Sequence, residues 1–308
     1  MRVVVFGGTK FMGPHVVREL VARGHDVTLF HRGEQEAFPE LRHVHGDRAQ
    51  LPRELEADLV IDMWCMHESH ARAAKERFGG ARYVVLSSGD VYRNYDGLQR
   101  HYGGEPDPAP LSEDAPLREG LYPYRHKAAQ MGDWVRDYDK ILVERTLAGP
   151  RTTVLRMPAV YGLHDDQRRF YDWIDAMLRG DEAIAIDEAQ AGWHWTRGWV
   201  ANCADAIVHA AFDERAAGRT YNVGELDTPS EEEWLRLLAR VAKWNGRIER
   251  RNGIAPPLDF RFHLHTDTRR IREELGWREH VTRAEALAEL LAWRRRGLEH
   301  DRADRRLA

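Results

Sequence analysis

The chain is short of cysteine, of net charge and of long apolar runs, and each shortage removes a class of protein. Two cysteines in 308 residues, Cys65 and Cys203, build no disulfide framework and belong to no CxxC pair. Both read as core thiols of a reducing compartment. Lysine plus arginine number 46 against 50 for aspartate plus glutamate, a formal net charge of −4. The basic excess of a dedicated nucleic-acid binder is missing, so no nucleic-acid partner is expected. No stretch approaches the roughly 18 apolar residues of a membrane span, so no membrane partner is expected either. Before Gly7 there is only Val3-Val4-Val5-Phe6, too short for the apolar segment of a signal peptide. A cytoplasmic location is the expectation. Internal repeats and low-complexity linkers are absent as well. What is there, 43% hydrophobic and 31% charged residues, is the balance of a folded globular chain.

The first half alternates short β-branched runs with amphipathic stretches, the pattern of parallel βα units. Strands are predicted at Val3 to Phe6, Val27 to Phe30, Leu59 to Asp62, Tyr83 to Leu86 and Thr153 to Arg156. Between the first two, Val16, Val17, Leu20 and Val21 recur at helical spacing, and Gly24 marks the stop. Residues 96–123, rich in glycine, proline and acid, read as an irregular excursion. In the second half helical patterns occupy Phe170 to Leu178, Ala204 to Phe212, Glu231 to Trp244 and Ala284 to Trp293, with a short extended piece at Thr220 to Val223. The expected fold class is α/β: a Rossmann-type, doubly wound parallel sheet with a smaller, mostly helical carboxyl-terminal substrate lobe over its crevice. Residues 1–165 are expected to form the dinucleotide domain and 166–308 the lobe, with Thr196 to Phe212 and Thr220 to Gly224 returning to the first.

The first strand runs straight into Gly7-Gly8-Thr9-Lys10-Phe11-Met12-Gly13 and then a helix. Gly7 permits the tight turn, the helix amino terminus offers free N–H groups to a pyrophosphate, and Gly13 allows close packing on the sheet. This strand–loop–helix context points to a bound dinucleotide. The second strand ends at His31-Arg32-Gly33. NAD enzymes place an acid there for the ribose hydroxyl, whereas an arginine suits the extra phosphate of NADP. NADP is therefore the expected cofactor, with NAD as the alternative.

With these residues the chain resembles the extended short-chain dehydrogenase/reductases, the NAD-dependent epimerase/dehydratase family. The family loop reads Gly-x-x-Gly-x-x-Gly; Gly7, Lys10 and Gly13 hold its places here, and Lys10 replaces the middle glycine. The resemblance implies that Asp47 lies beside the adenine and that Met63 and Trp64 pass under the cofactor. Ser87-Ser88-Gly89-Asp90-Val91-Tyr92 resembles the family's Ser-Ser-x-x-Val-Tyr segment. It implies a catalytic hydroxyl at Ser88 and places Ser87 with the cofactor. Asp90 is a candidate general acid or base, with turn capping as the alternative.

The family's Tyr-x-x-x-Lys motif is not kept. Lys140, followed four residues on by Glu144, resembles its lysine, but Arg136 stands where the tyrosine belongs. Tyr138 is two residues from Lys140, about 200° around a helix, so the two cannot share a helical face. Either the helix starts at about Asp139 and Tyr138 curls back from an extended lead-in, or Tyr122, Tyr124 or Asp90 supplies the proton. Further on, Thr153 to Gly162 resembles the segment lining the nicotinamide end, which implies Pro158 at the cofactor and Tyr161 at the substrate. Tyr124 is a further substrate candidate. Trp195-Thr196-Arg197 resembles the segment whose arginine grips substrate phosphate.

The sixteen histidines give no metal site by spacing. His43-x-His45 and His263-x-His265 each face one side of a strand, but no third ligand is spaced to join them. Trp193, Trp195 and Trp199 read as aromatic core, and the arginine-rich tail, offset by Glu299, Asp301 and Asp304, as a solvated helix end. The expected function is NAD(P)-dependent reduction, epimerisation or dehydration of a sugar-nucleotide or similar polar metabolite by hydride transfer. A homodimer is expected from the family. The alternatives are a catalytically weak dinucleotide sensor and an RNA-binding relative of chloroplast stem-loop-binding proteins.

Overall fold

The computed structural model describes residues 1–33 and 37–307, and for the side chains it stops at residue 298. The first half contains β1 (Arg2–Phe6), α1 (Gly13–Ala22), β2 (Asp26–His31), β3 (Arg42–His45), β4 (Leu59–Asp62), α2 (Glu68–Phe78), β5 (Arg82–Ser88), α3 (Arg93–Leu98), α4 (Ala128–Met131), α5 (Lys140–Leu147) and β6 (Thr152–Met157). The second half contains β7 (Ala159–Tyr161), α6 (Tyr171–Arg179), β8 (Ala183–Asp187), α7 (Glu188–Ala191), β9 (Arg197–Trp199), α8 (Val200–Phe212), β10 (Thr220–Asn222), α9 (Glu231–Ala242), β11 (Arg247–Arg251), α10 (Arg269–Leu275) and α11 (Arg283–Leu307). Among the described residues no helix is long and apolar enough to cross a membrane.

Seven strands form a parallel sheet in the order β10-β6-β5-β4-β1-β2-β3. Alternate residues along each strand serve opposite faces. Val3 and Val5 of β1 and Val84 and Leu86 of β5 pack with Val16, Val17 and Leu20 of α1 and Ile207 of α8. Val4, Phe6, Tyr83 and Val85 pack on the other side with Ala71, Ala74 and Phe78 of α2 and Val143 and Leu147 of α5. Burial on both faces is why these strands read as unbroken apolar runs. The fold is α/β and doubly wound.

The chain reaches this sheet with strands that have no apolar signature of their own. Arg42–His45 has one apolar residue, and Arg247–Arg251 also has one. β3 exists because it pairs with β2 at the sheet edge, and β11 because it pairs with β8 in a separate two-stranded sheet. β10, in the second half of the sequence, joins the main sheet against β6. The excursion begins in α3 and is otherwise irregular, tied back by bridges from Tyr92 to Leu117 and from Leu111 to Thr266. The last helix runs well past Trp293, to Leu307; Glu299, Asp301 and Asp304 lie outside the described side chains.

Candidate active site

The strand order reverses between β1 and β4, and the chain ends of these two strands flank the crevice where doubly wound folds take ligands. Gly7 leaves β1 with φ +84°, and a Cβ on it would lie 3.3 Å from the Cβ of Trp64, just past β4. At Gly13 a Cβ would fall 2.5 Å from the backbone carbon of Gly8, so only glycine lets α1 start this close to the strand. Phe11 holds φ +52° in the turn. Within the loop Gly8 is buried, Thr9, Phe11 and Met12 are half-buried and Lys10 is exposed. Pro14 follows at the start of α1, where its missing N–H costs nothing. The residues of this loop fit a pyrophosphate at a helix amino terminus.

Below the crevice Arg48 and Asp62 form a buried ion pair at 2.5 Å. Asp62 also accepts the Tyr83 hydroxyl at 2.6 Å and the Trp64 amide at 3.1 Å. Asp47 itself is exposed and its carboxylate accepts the Ala49 amide at 2.9 Å. Met63 is buried, and Trp64 is 45% exposed. Arg32 is exposed at the end of β2.

The helix α5 begins at Lys140, with Asp139 as its cap: the Asp139 carboxylate accepts the amides of Ile141 at 2.9 Å and Leu142 at 3.4 Å. Tyr138 therefore stands before the helix, and the 200° separation does not apply. Its hydroxyl donates to Asp90 Oδ2 at 2.9 Å. Tyr124 donates to the same oxygen at 3.0 Å. The Lys140 ammonium lies 5.8 Å from the centre of the Tyr138 ring, donating to the Cys65 carbonyl at 2.8 Å and the Leu86 carbonyl at 2.9 Å. Arg118 holds the cluster from behind, donating to the Asp90 carbonyl at 2.9 Å and pairing with Asp139 at 2.9 Å with both side chains fully buried.

Burial dominates the electrostatics here. It pushes the Asp90 carboxyl up, against the opposing pull of the Arg118 guanidinium and the two phenol donors. Burial and then the neighbouring Asp90 charge raise Tyr138 and Tyr124 well above the ordinary tyrosine value. Burial lowers Lys140, against the carboxylates of Asp62, Asp90 and Glu144. Asp90 Oδ1 has no partner among the described residues. The arrangement is a pair of protonated phenols converging on one buried carboxyl. Asp90 does not cap the turn with its side chain; Ser88 does, accepting the Asp90 amide at 3.3 Å.

Several candidates face elsewhere. Ser87 is buried and its hydroxyl donates to Glu144. Adjacent residues on a strand point to opposite faces, so its side chain lies on the face opposite that of Ser88. Tyr161 is wholly buried against Phe170, Trp199 and Trp234, and its hydroxyl donates to Glu225 Oε1 at 2.7 Å. It packs as a core residue. The ring of Tyr122 lies under the Arg125 guanidinium, 3.8 Å away, and makes no bond to Asp90. Pro158 is half-buried between β6 and β7. Cys65 and Cys203 are buried free thiols, pushed up by burial.

Arg197 is buried, with Nη2 2.7 Å from Glu231 Oε1 but misaligned for a hydrogen bond; its Nε and Nη1 have no hydrogen-bond partner among the described residues. Phe170, Trp195 and Trp234 surround it at 4.7–5.9 Å. The spacing of the sequence did not single out Arg169, which donates to the Val160 carbonyl at 3.1 Å and pairs with Asp165 at 3.2 Å. Its guanidinium sits 5.6 Å from the ring of Trp195, and it lies close enough to Arg197 for the two charges to repel. Trp193 and Trp199 are core; Trp195, half-buried, stands between the two arginines.

No family model matches the chain. Over 277 residues it is 24% identical to a UDP-N-acetyl-α-D-glucosaminuronate decarboxylase of Bacillus cytotoxicus, covering 80% of this chain and 82% of the relative. Among solved structures it is similar to UDP-glucose 4-epimerase of Thermotoga maritima with UDP-glucose, at TM-score 0.69 and 16% identity, covering 97% of this chain and 100% of the other. It is also similar to a short-chain dehydrogenase/reductase superfamily protein of Agrobacterium tumefaciens with bound NAD, at TM-score 0.70 and 18% identity, covering 98% and 100%. By fold the chain is similar to these neighbours, a sugar-nucleotide epimerase and a short-chain dehydrogenase/reductase superfamily protein.

Proposed function

We propose that the chain is an NAD(P)-dependent enzyme that reduces, epimerises or dehydrates a sugar-nucleotide or similar polar anionic metabolite. The observation that carries the reading is the convergence of Tyr138, Tyr124 and Asp90 beside Lys140 at the carboxyl ends of the sheet. The glycine cradle at Gly7 and Gly13 fits a dinucleotide, which when bound supplies the hydride acceptor or donor. Lys140 would seat the nicotinamide ribose. Tyr138, kept protonated by burial, serves as a general acid toward an oxygen held by Ser88. Asp90 holds that phenol in place and takes up a proton readily, because burial favours its neutral form. Arg197, whose Nε and Nη1 have no hydrogen-bond partner among the described residues, supports recognition of a substrate phosphate, with Arg169 close by. UDP-glucose accompanies the Thermotoga neighbour and NAD the Agrobacterium neighbour, which supports both halves of the reading. The basic end of β2, with Arg32 exposed beside His31, favours NADP over NAD.

The test is incubation of the purified protein with each dinucleotide and a panel of UDP- and TDP-sugars. Products are followed by mass spectrometry and binding by calorimetry. Turnover of a sugar-nucleotide supports the proposal. Tight dinucleotide binding with no turnover of any member would support the sensor reading instead.

A further inference from the structure

Three imidazoles meet at the carboxyl ends of β2 and β3, apart from the Asp90 cluster. His43 and His45 are two residues apart on β3 and share a face, and the parallel register sets His31, the last residue of β2, opposite His45. One ring nitrogen from each lies within 4.8 Å of the other two. His31 Nε2 is 2.7 Å from His43 Nδ1, and the centres of the His31 and His45 rings are 4.7 Å apart.

The backbone decides which nitrogens carry protons. His43 Nε2 lies 2.9 Å from the Phe38 carbonyl, which only an N–H can satisfy, so Nδ1 of neutral His43 keeps its lone pair. The Gly33 amide donates to His31 Nδ1 at 3.1 Å, so the His31 proton sits on Nε2 and bridges to His43. A ring N–H tied to a backbone carbonyl with the other nitrogen turned inward is how histidine metal ligands are oriented. β3 is the edge strand, and His45 is exposed.

We propose that His31, His43 and His45 form a site for one borderline divalent transition cation, of which Zn²⁺ is the reference case. Imidazole nitrogen suits zinc, cobalt, nickel and copper; magnesium and calcium take oxygen ligands. Three protein nitrogens leave a fourth position for water. Ligand nitrogens around a tetrahedral zinc stand about 3.3 Å apart, so His31 and His43 must part by about 0.6 Å. The His31 proton moves from Nε2 to Nδ1 as the ion takes its place. Nδ1 then no longer accepts the Gly33 amide, and the turn at residues 32–33 shifts.

The test uses untagged full-length protein, stripped with chelator and titrated with Zn²⁺ by calorimetry and with Co²⁺ by visible absorption. One ion per chain at micromolar affinity, with a cobalt band of four-coordinate intensity, is expected. His45→Ala, a change at an exposed position whose fold is checked by circular dichroism, should weaken binding by about 100-fold or more, since even loss of a supporting partner costs 10–100-fold. His263→Ala, at the unrelated histidine pair, should leave it intact. Affinity weaker than about 1 mM, undiminished binding in His45→Ala, or equal loss in His263→Ala would each overturn the proposal.

Discussion

Asp90 accepts both phenols through one oxygen, and its other oxygen has no partner among the described residues. If Tyr138 is the acid, Tyr138→Phe should cut turnover by about 10²-fold or more, the usual size of a general-acid contribution, with dinucleotide affinity unchanged. Tyr124→Phe should cost less; the opposite order in steady-state assays assigns the proton to Tyr124. Asp90 also sets a pH dependence of stability. Its folded-state value is raised, so the native state holds the proton more tightly than the unfolded chain does. Stability is then lost as pH rises above the ordinary aspartate value and through the raised one. Asp90→Asn has no such charge to bury. Thermal melts across pH should show the variant gaining on the native protein from acid toward neutral, and parallel curves would contradict the assignment.

At the scale of the element, the start of α5 decides the site. Asp139 caps the helix, binds the Tyr122 amide at 2.6 Å and pairs with Arg118, so one side chain positions Tyr138, Lys140 and the segment carrying Tyr124. Asp139→Ala leaves a buried guanidinium without its partner, a loss of about 3–5 kcal/mol, with about 1 kcal/mol more for the cap. Urea unfolding measures the sum; a loss under about 1 kcal/mol would mean that the pair is not formed. The glycine loop gives the second test at this scale. A methyl at Gly13 meets backbone atoms of Gly7 and Gly8, which cannot swing aside as a side chain can. Gly13→Ala should cost about 1–3 kcal/mol as overpacking and abolish dinucleotide binding in calorimetry.

For the whole molecule, a dinucleotide bound as proposed would span the sheet's switch point and tie the loop after β1 to the segment after β4. Ligand at 100 times its Kd adds about 2.7 kcal/mol to stability, a rise in Tm of several degrees. NADP(H) should give a larger rise than NAD(H), and Arg32→Ala should remove about 1.5–3 kcal/mol of NADP(H) binding, the range for a charged hydrogen-bond partner. Equal shifts with the two cofactors in the native protein would refute the preference.

The sequence by itself determined the sheet core and the loop that opens it. Short apolar runs such as Val3 to Phe6 and Tyr83 to Leu86, and the glycines at 7 and 13, are local patterns whose periodicity and backbone freedom need no partner to be read. Only tertiary structure decided which side chains meet. Tyr138 reaches Asp90 across 48 residues, Arg169 comes beside Arg197, and His31 joins His43 through strand pairing. β3 and β11 carry too few apolar residues to announce themselves and form because a neighbouring strand offers its hydrogen bonds. Ser87 and Tyr161 sit in family-like segments, yet they turn inward because Glu144 and Glu225, on other elements, take their hydroxyls. Local pattern sets the apolar core elements, whereas edge strands and the meeting of distant groups depend on strand order and register, which no short window of sequence contains.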